Sequence, residues 1–275
     1  MKKEILKSVS VILTVCCMLF IFTACSQINI QTNSNSELTS ESEATANETV
    51  ADNTKETETI ELKSAEDYVT TEREYNVTYD GKFYITGEKS GTNNQAKCRL
   101  PQLSVDSEDA ESINNDIHEE YDKVFDDIET YYQDYEMNRT DYVAYLNGNI
   151  LSLVIETRTT NTPNSFFKVY NIDVKTGKEL NNEDVVKLSN ISLNEAYGQL
   201  YSKIESLYTD EQKEWVDAET YESIKGKSLD DKNIQESMFY YNENGSLMAA
   251  YRYYWFAGAE NYGDIFELSA KCENT

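Results

Sequence analysis

The sequence predicts an α+β fold, with antiparallel sheet hairpins packed against two main amphipathic helices. Three observations carry this. Short apolar runs alternate with polar residues and are separated by turn pairs such as Asp80-Gly81, Asn147-Gly148 and Thr176-Gly177. Two stretches repeat instead at steps of three and four, the helical period. The order is strands, helix, strands, helix, strands with hairpin-length connections, which argues for antiparallel α+β and against a doubly wound parallel sheet.

Not all of the 275 residues belong to this fold. Lys2, Lys3 and Lys7 form a basic start, and Val9 to Ala24 is apolar except at Ser10, Thr14 and Thr23. The run ends at Phe22-Thr23-Ala24-Cys25, small residues followed by cysteine. This is the arrangement of a bacterial lipoprotein signal, cleaved after residue 24 with Cys25 taking the lipid. An uncleaved membrane span is the alternative, but the run is shorter than the ~20 residues a bilayer needs. Either way the remainder is expected outside the cytoplasm, held at the cell membrane. Residues 25–67 are rich in Ser, Thr, Asn and Glu and bury too little to offset their ordering entropy, so they read as a polar tether. Residues 68–275 are the expected domain, enough for one core.

Within it, Thr71 to Val77 and Phe83 to Ile85 flank the Asp-Gly pair as a hairpin, and Lys97 to Val105 is a strand placed at an edge by Pro101. Asp106 and Ser107 offer caps, and Glu108, Asp109 and Glu111 suit the positive end of a helix dipole. Ile113, Ile117, Tyr121, Val124, Phe125, Ile128, Tyr132 and Tyr135 then form one apolar stripe, the strongest helical signal in the chain. Tyr142 to Leu146 and Ile150 to Thr157 form a hairpin around Asn147-Gly148, and Phe166 to Val174 adds a strand. Ser192 to Glu195 fits a capping box for a second helix carrying Ala196, Leu200, Ile204 and Leu207. A shorter helix is expected over Ala218 to Ile224. Met238 to Tyr241, Leu247 to Phe256 and Ile265 to Ala270 complete the strands.

The chemistry is sparse. His118 is the single histidine and reads as a solvated residue on the polar side of the long helix, which leaves no material for a Ser-His-Asp site or a His-rich zinc site. With 50 Asp and Glu, a carboxylate pair in some cleft is expected by chance alone, and no spacing singles one out. Asp230-Asp231 and Asn242 to Gly245 read as turns, not calcium loops. No catalytic constellation, cofactor or metal is expected. A formal charge of −26 opposes nucleic acid and favours cationic partners, or serves solubility only.

Of the five cysteines, Cys16 and Cys17 leave with the signal. Cys98 and Cys272 remain, either as a disulfide or as two buried thiols. Tyr251 to Phe256, with the loop from Ala257 through Tyr262 to Gly263, concentrates the aromatic residues favoured at interface anchors. Tyr251, Tyr253, Trp255 and Tyr262 are therefore the candidate binding surface. Alternate residues of that strand are expected to face the core instead.

Ile150 to Leu153, Tyr170 to Leu180 with its Thr176-Gly177-Lys178 turn, Asp184-Val185-Val186, and the closing Phe239-Tyr240 to Phe266 hairpin with Gly245, Gly258 and Gly263 resemble the extracellular domain shared by RsiV-type anti-sigma factors and PdaC-type peptidoglycan deacetylases. The likeness runs from about Tyr68 to the C-terminus. It implies an α+β surface module, in some members a receptor for lysozyme. Where family members often carry a Gly-Gly-Ala-His-like loop, this chain has Thr159 to Ser165, which adds Asn161 and Asn164 to the candidate surface. No deacetylase domain is expected to follow, and the histidines its metal site would need are missing, so the family's enzymatic activity is not carried over. The expected function is a non-catalytic surface lipoprotein capturing lysozyme or another cationic protein. The alternative is a module, or an accessory enzyme, acting on wall glycan.

Overall fold

A computed structural model describes residues 63–78, 81–87, 89–90, 95–131, 138–159, 164–256 and 261–272. The signal, Cys25, nearly all of the tether, Tyr132, Tyr135 and Asn161 lie outside the described residues. Thr59–Thr275 constitute one compact unit, and the fold is α+β as predicted. It starts slightly before Tyr68. Ala65–Asp67 form a 3-10 turn in which Ala65 is buried and the Ser64 amide donates to the Asp67 carboxylate at 2.6 Å.

β1 (Val69–Thr78) pairs antiparallel with β4 (Gln95–Leu103), not with the Phe83 to Ile85 segment. The reason is periodicity. β4 buries Cys98, Leu100 and Leu103, whereas three consecutive large residues at 83–85 cannot all face one side of a strand. Phe83 is fully buried and Tyr84 to Thr86 form a turn; β2 (Gly81–Lys82) and β3 (Lys89–Ser90) pair only with each other. Pro101 sits opposite Thr71 at a break in register, where a missing N–H is tolerated.

α1 (Glu108–Tyr131) begins where predicted: the Ser107 hydroxyl accepts the Ala110 amide at 3.1 Å. Its stripe of Ala110, Ile113, Ile117, Tyr121, Phe125 and Ile128 is buried. β5 (Asn138–Asn147) and β6 (Ile150–Thr159) pair from Asn138 opposite Thr159 to Asn147 opposite Ile150. The hairpin turn is thus centred one residue later than expected, on Gly148-Asn149, with Gly148 at φ 59°. β7 (Ser165–Asp173) continues the sheet beside β6, and β8 (Lys178–Glu179) pairs with its end. Leu151, Leu153, Ile155, Tyr170 and Ile172 pack under α1 with Phe83, Cys98 and Leu100, forming the first core.

The second half is built differently. α2 (Asn182–Lys187), α3 (Leu193–Glu205), α4 (Ala218–Ser228) and α5 (Asp231–Gln235) are short and individually capped by Asn181, Ser192, Asp217 and Asp230. They cover β9 (Met238–Tyr241), β10 (Ser246–Tyr254) and β11 (Asn261–Lys271) over Leu200, Ile204, Phe239, Tyr241, Leu247, Ala249 and Leu268. β9, β10 and β11 pair antiparallel in the order β9-β10-β11.

The halves join at one register pair, Gly263 opposite Ser165. A side chain on Gly263 would run into the Ser165 carbonyl and, at 3.1 Å, the Phe167 ring, so glycine alone permits this approach. A third cluster, Val154, Phe167, Tyr240 and Ala250, takes residues from both halves, and Tyr145 of β5 stacks on Tyr240 of β9 at 6.2 Å. The outer strand β9 is met by side chains of the first half. Asn171 Nδ2 donates to the Phe239 carbonyl at 2.9 Å, Asn147 Nδ2 to the Asn242 carbonyl at 3.0 Å, and Ser152 Oγ accepts the Tyr241 amide at 3.3 Å. These three buried polar residues occupy backbone groups that an edge strand would otherwise leave open.

The disulfide alternative is corrected. Cys98 lies in the core beneath α1 and Cys272 in the core beneath the short helices, so the two thiols belong to different clusters and are not bridged. Burial pushes the Cys98 thiol up to about 12, a value at which it is unreactive. His118 is at the surface as expected, 31% exposed, but it is paired. Its Nε2 lies 3.1 Å from Glu72 Oε2 and its Nδ1 3.1 Å from Asp122 Oδ1, between β1 and its own helix.

Candidate functional site

The end of β10 projects aromatic residues past the short helices. Tyr253 is half-buried, with ring centroids of Tyr251 at 6.1 Å, Trp255 at 5.9 Å and Tyr262 at 5.8 Å. Trp255 reaches Tyr208 at 6.3 Å, Phe256 at 5.4 Å and Trp215 at 6.3 Å, the last nearly perpendicular at 77°. Trp215 and Trp255 are the two tryptophans of the chain, and they meet here. Trp215 is 58% exposed, the outermost ring of the group. Edge-to-face packing holds each ring in place while leaving faces available.

The platform is rigid. The Tyr208 hydroxyl bonds the Ser228 hydroxyl and the Tyr254 carbonyl, and Ser228 Oγ accepts the Tyr254 amide at 2.7 Å, so α4 is locked to the end of β10. Phe256 stacks on Tyr221 of α4 at 5.5 Å. Burial pushes the phenols of Tyr208 and Tyr253 up to about 12, so both remain neutral hydroxyls.

The rim is acidic. Trp215 follows the 3-10 turn Asp210–Glu214, and Asp210, Glu211, Glu214, Asp217 and Glu219 are all exposed around it. A hydrogen bond from Lys213 holds Asp210 below the usual carboxylate range, and amide and hydroxyl donors of Thr220 do the same for Asp217. Both therefore stay charged.

Of the sequence-derived candidates, the structure brings Tyr253, Trp255 and Tyr262 together on this face. It corrects the others. Tyr251 shares the Tyr253 side of β10 and touches its ring, but it lies further along the strand beneath the short helices, 2% exposed with its hydroxyl donating to Asp264 at 3.2 Å. Tyr262 belongs to β11, opposite Tyr253, and not to a loop. Asn164 is buried at 3% next to the seam residue Ser165 and is not a surface contact. Trp215, Tyr208 and Phe256 were absent from the sequence-derived face. Trp215 stands alone in a polar stretch, and only its tertiary partner Trp255 marks it.

A groove of about 580 Å³ lies elsewhere, between α1, β7 and β10. Its lining holds Lys168, Arg252, Glu120 and Glu236, so its formal charges offset, with Lys168 3.2 Å from Glu120, and Phe166, Phe167 and Met238 add apolar surface. Among the described residues, no group of His, Cys, Asp and Glu is placed to hold a metal ion. Comparison of the chain with protein-family models, with curated proteins and with solved structures finds no match.

Proposed function

We propose that this chain is a membrane-anchored surface lipoprotein whose domain captures a cationic protein on the Trp215 face, with lysozyme as the first candidate. One observation carries the reading: an exposed tryptophan, fixed edge-on to a second, within a rim of carboxylates. Interface anchors are typically Trp and Tyr surrounded by residues that exclude water. A rim with an excess of carboxylates over its cation, Lys213, steers an oppositely charged partner and helps set its orientation. The basic start and apolar run ending at Cys25 support a position outside the cytoplasm, and the resemblance to the RsiV and PdaC extracellular domain supports the same partner class. The reading assigns no catalytic residue, cofactor or metal.

The test is calorimetry of the Thr59–Thr275 unit with purified lysozyme at low and physiological salt. A one-to-one complex is expected, weakening as salt rises because the screening length contracts from ~10 Å at 0.1 M to ~3 Å at 1 M. Trp215→Ala should weaken it at least ~10-fold. Affinity that ignores salt removes the acidic rim from the account. The open ring of Trp215 favours one second reading, a wall glycan stacking on the same platform. Binding of soluble wall oligosaccharides, lost in Trp215→Ala, together with no affinity for lysozyme, would select it.

A further inference from the structure

We infer that Tyr84 belongs to the same recognition surface as Trp215, and that the buried carboxylate of Glu156 is the positioning residue that holds it there. This rests on the binding reading above and extends the surface across the seam between the two halves.

Glu156 lies on β6 and is fully buried. Its Oε2 accepts the amides of Tyr84 at 2.6 Å and Ile85 at 3.1 Å, and its Oε1 accepts the Ser165 hydroxyl at 2.6 Å, with Arg158 Nε at 4.0 Å. One carboxylate thus ties β6 to a turn far away in sequence and to the residue where β7 meets β11. Burying an ionisable group is a poor way to gain stability, since well-packed apolar residues often do as well or better. Its specific product is location: three donors converge on it, two from the backbone of a single turn.

That turn presents one side chain outward. Phe83 is fully buried and Ile85 half-buried, while Tyr84 between them is 55% exposed. The Tyr84 ring packs edge-on to Phe167 at 6.4 Å and lies 5.4 Å from the Arg158 guanidinium. Phe167 abuts Gly263, whose neighbour Tyr262 packs on Tyr253, which leads through Trp255 to Trp215. Tyr84 and Trp215 are therefore the exposed ends of two aromatic groups, Tyr84 with Phe167 and Tyr253 with Tyr262, Trp255 and Trp215, that meet at Gly263. The Tyr84 phenol also adds to the upward push, mainly due to burial, on the phenols of Tyr251 and Tyr253. Glu156 further offsets the charge of Arg158 at this end, keeping the surface suited to a cationic partner.

The experiment compares Trp215→Ala, Tyr84→Ala, Glu156→Gln, Glu156→Leu and the Tyr84→Ala/Glu156→Gln pair, with purified lysozyme as the probe. Amide exchange at Tyr84 and Ile85 is followed in parallel. Tyr84→Ala and Glu156→Gln are each expected to weaken binding ~10-fold, and the pair no more than either alone. In Glu156→Leu the Tyr84 and Ile85 amides should exchange faster while those of β6 stay protected, a local change that general destabilisation would not give. Wild-type affinity in Tyr84→Ala with loss in Trp215→Ala overturns the extension and leaves the Trp215 reading standing. Loss in Tyr84→Ala with full affinity in both Glu156 variants overturns the positioning role. No effect of Trp215→Ala, or no binding by the wild-type unit, overturns the reading itself. Unchanged protection of the two amides in Glu156→Leu then overturns the latch as well.

Discussion

The two halves of the domain solve the same packing problem with opposite means. The first is one long helix packed with five long strands, β1 and β4 to β7, and it buries charge: Asp141 and Glu156, both fully buried, stand opposite each other on β5 and β6. Asp141 is held by Arg99 at 2.6 Å, and Glu156 by backbone and hydroxyl donors. The second half is covered by four short capped helices and buries tyrosines instead, with Tyr208, Tyr221, Tyr240, Tyr241 and Tyr251 all inside. Its packing opens to solvent at one end, where the aromatic core continues outward as Trp255 and Trp215. The lesson is that the face proposed for binding is the exposed end of a core. Its anchors are rigid because their inner neighbours are structural.

The largest effects should come from the cores, and they test whether the halves are separable. Phe125→Ala in the first half and Phe239→Ala in the second remove fully buried rings and should each cost about 3–5 kcal/mol in urea unfolding. Both tryptophans lie in the second half, whereas circular dichroism reports on both. The seam at Gly263 and the side-chain bonds to β9 predict that Phe125→Ala shifts both signals to the same midpoint. Two separate midpoints would break the picture of one cooperative unit.

Asp141→Ala should cost about 3 kcal/mol, near the lower end for a broken buried pair because Arg99 retains some solvent contact. A comparable loss from Trp215→Ala would erase the contrast between buried charge and exposed anchor. That variant should lie within about 0.5 kcal/mol of wild type.

Glu156 sharpens the comparison through pH. Burial raises its value above the ordinary 4.5, against the pull of its donors and Arg158. In the window between the unfolded and folded values, the native state holds a proton that the unfolded chain has released. Stability therefore falls as pH rises through that window. Glu156→Gln should flatten this part of the pH–stability curve, and an unchanged slope would assign it to another group. The smallest effect is expected at a cap: Ser192→Ala should cost about 1 kcal/mol by removing the acceptor for the Glu195 amide, read from thermal unfolding.

Legibility followed range. α1 was readable because its stripe of Ile113, Ile117, Tyr121 and Phe125 and its Ser107 cap are local. The β5-β6 hairpin was readable as a hairpin from its glycine turn, while its register was not, since the turn is centred one residue later than expected. The partner of β1 was not, since choosing β4 over the Phe83 segment depends on which residues find a core. At the candidate face, Tyr253 and Trp255 stood out as neighbours in one strand. Trp215 did not, nor did Tyr84, because each gains meaning only from a partner distant in sequence.

By itself, the sequence determined the α+β class and the excess of acidic residues, since each depends on composition or short-range period. Tertiary structure decided that Cys98 and Cys272 occupy separate cores, that Tyr251 is buried while Trp215 is exposed, and that a glycine seam joins the two half-sheets. The physical reason is that burial and proximity belong to pairs of segments. No local pattern states which segments will meet.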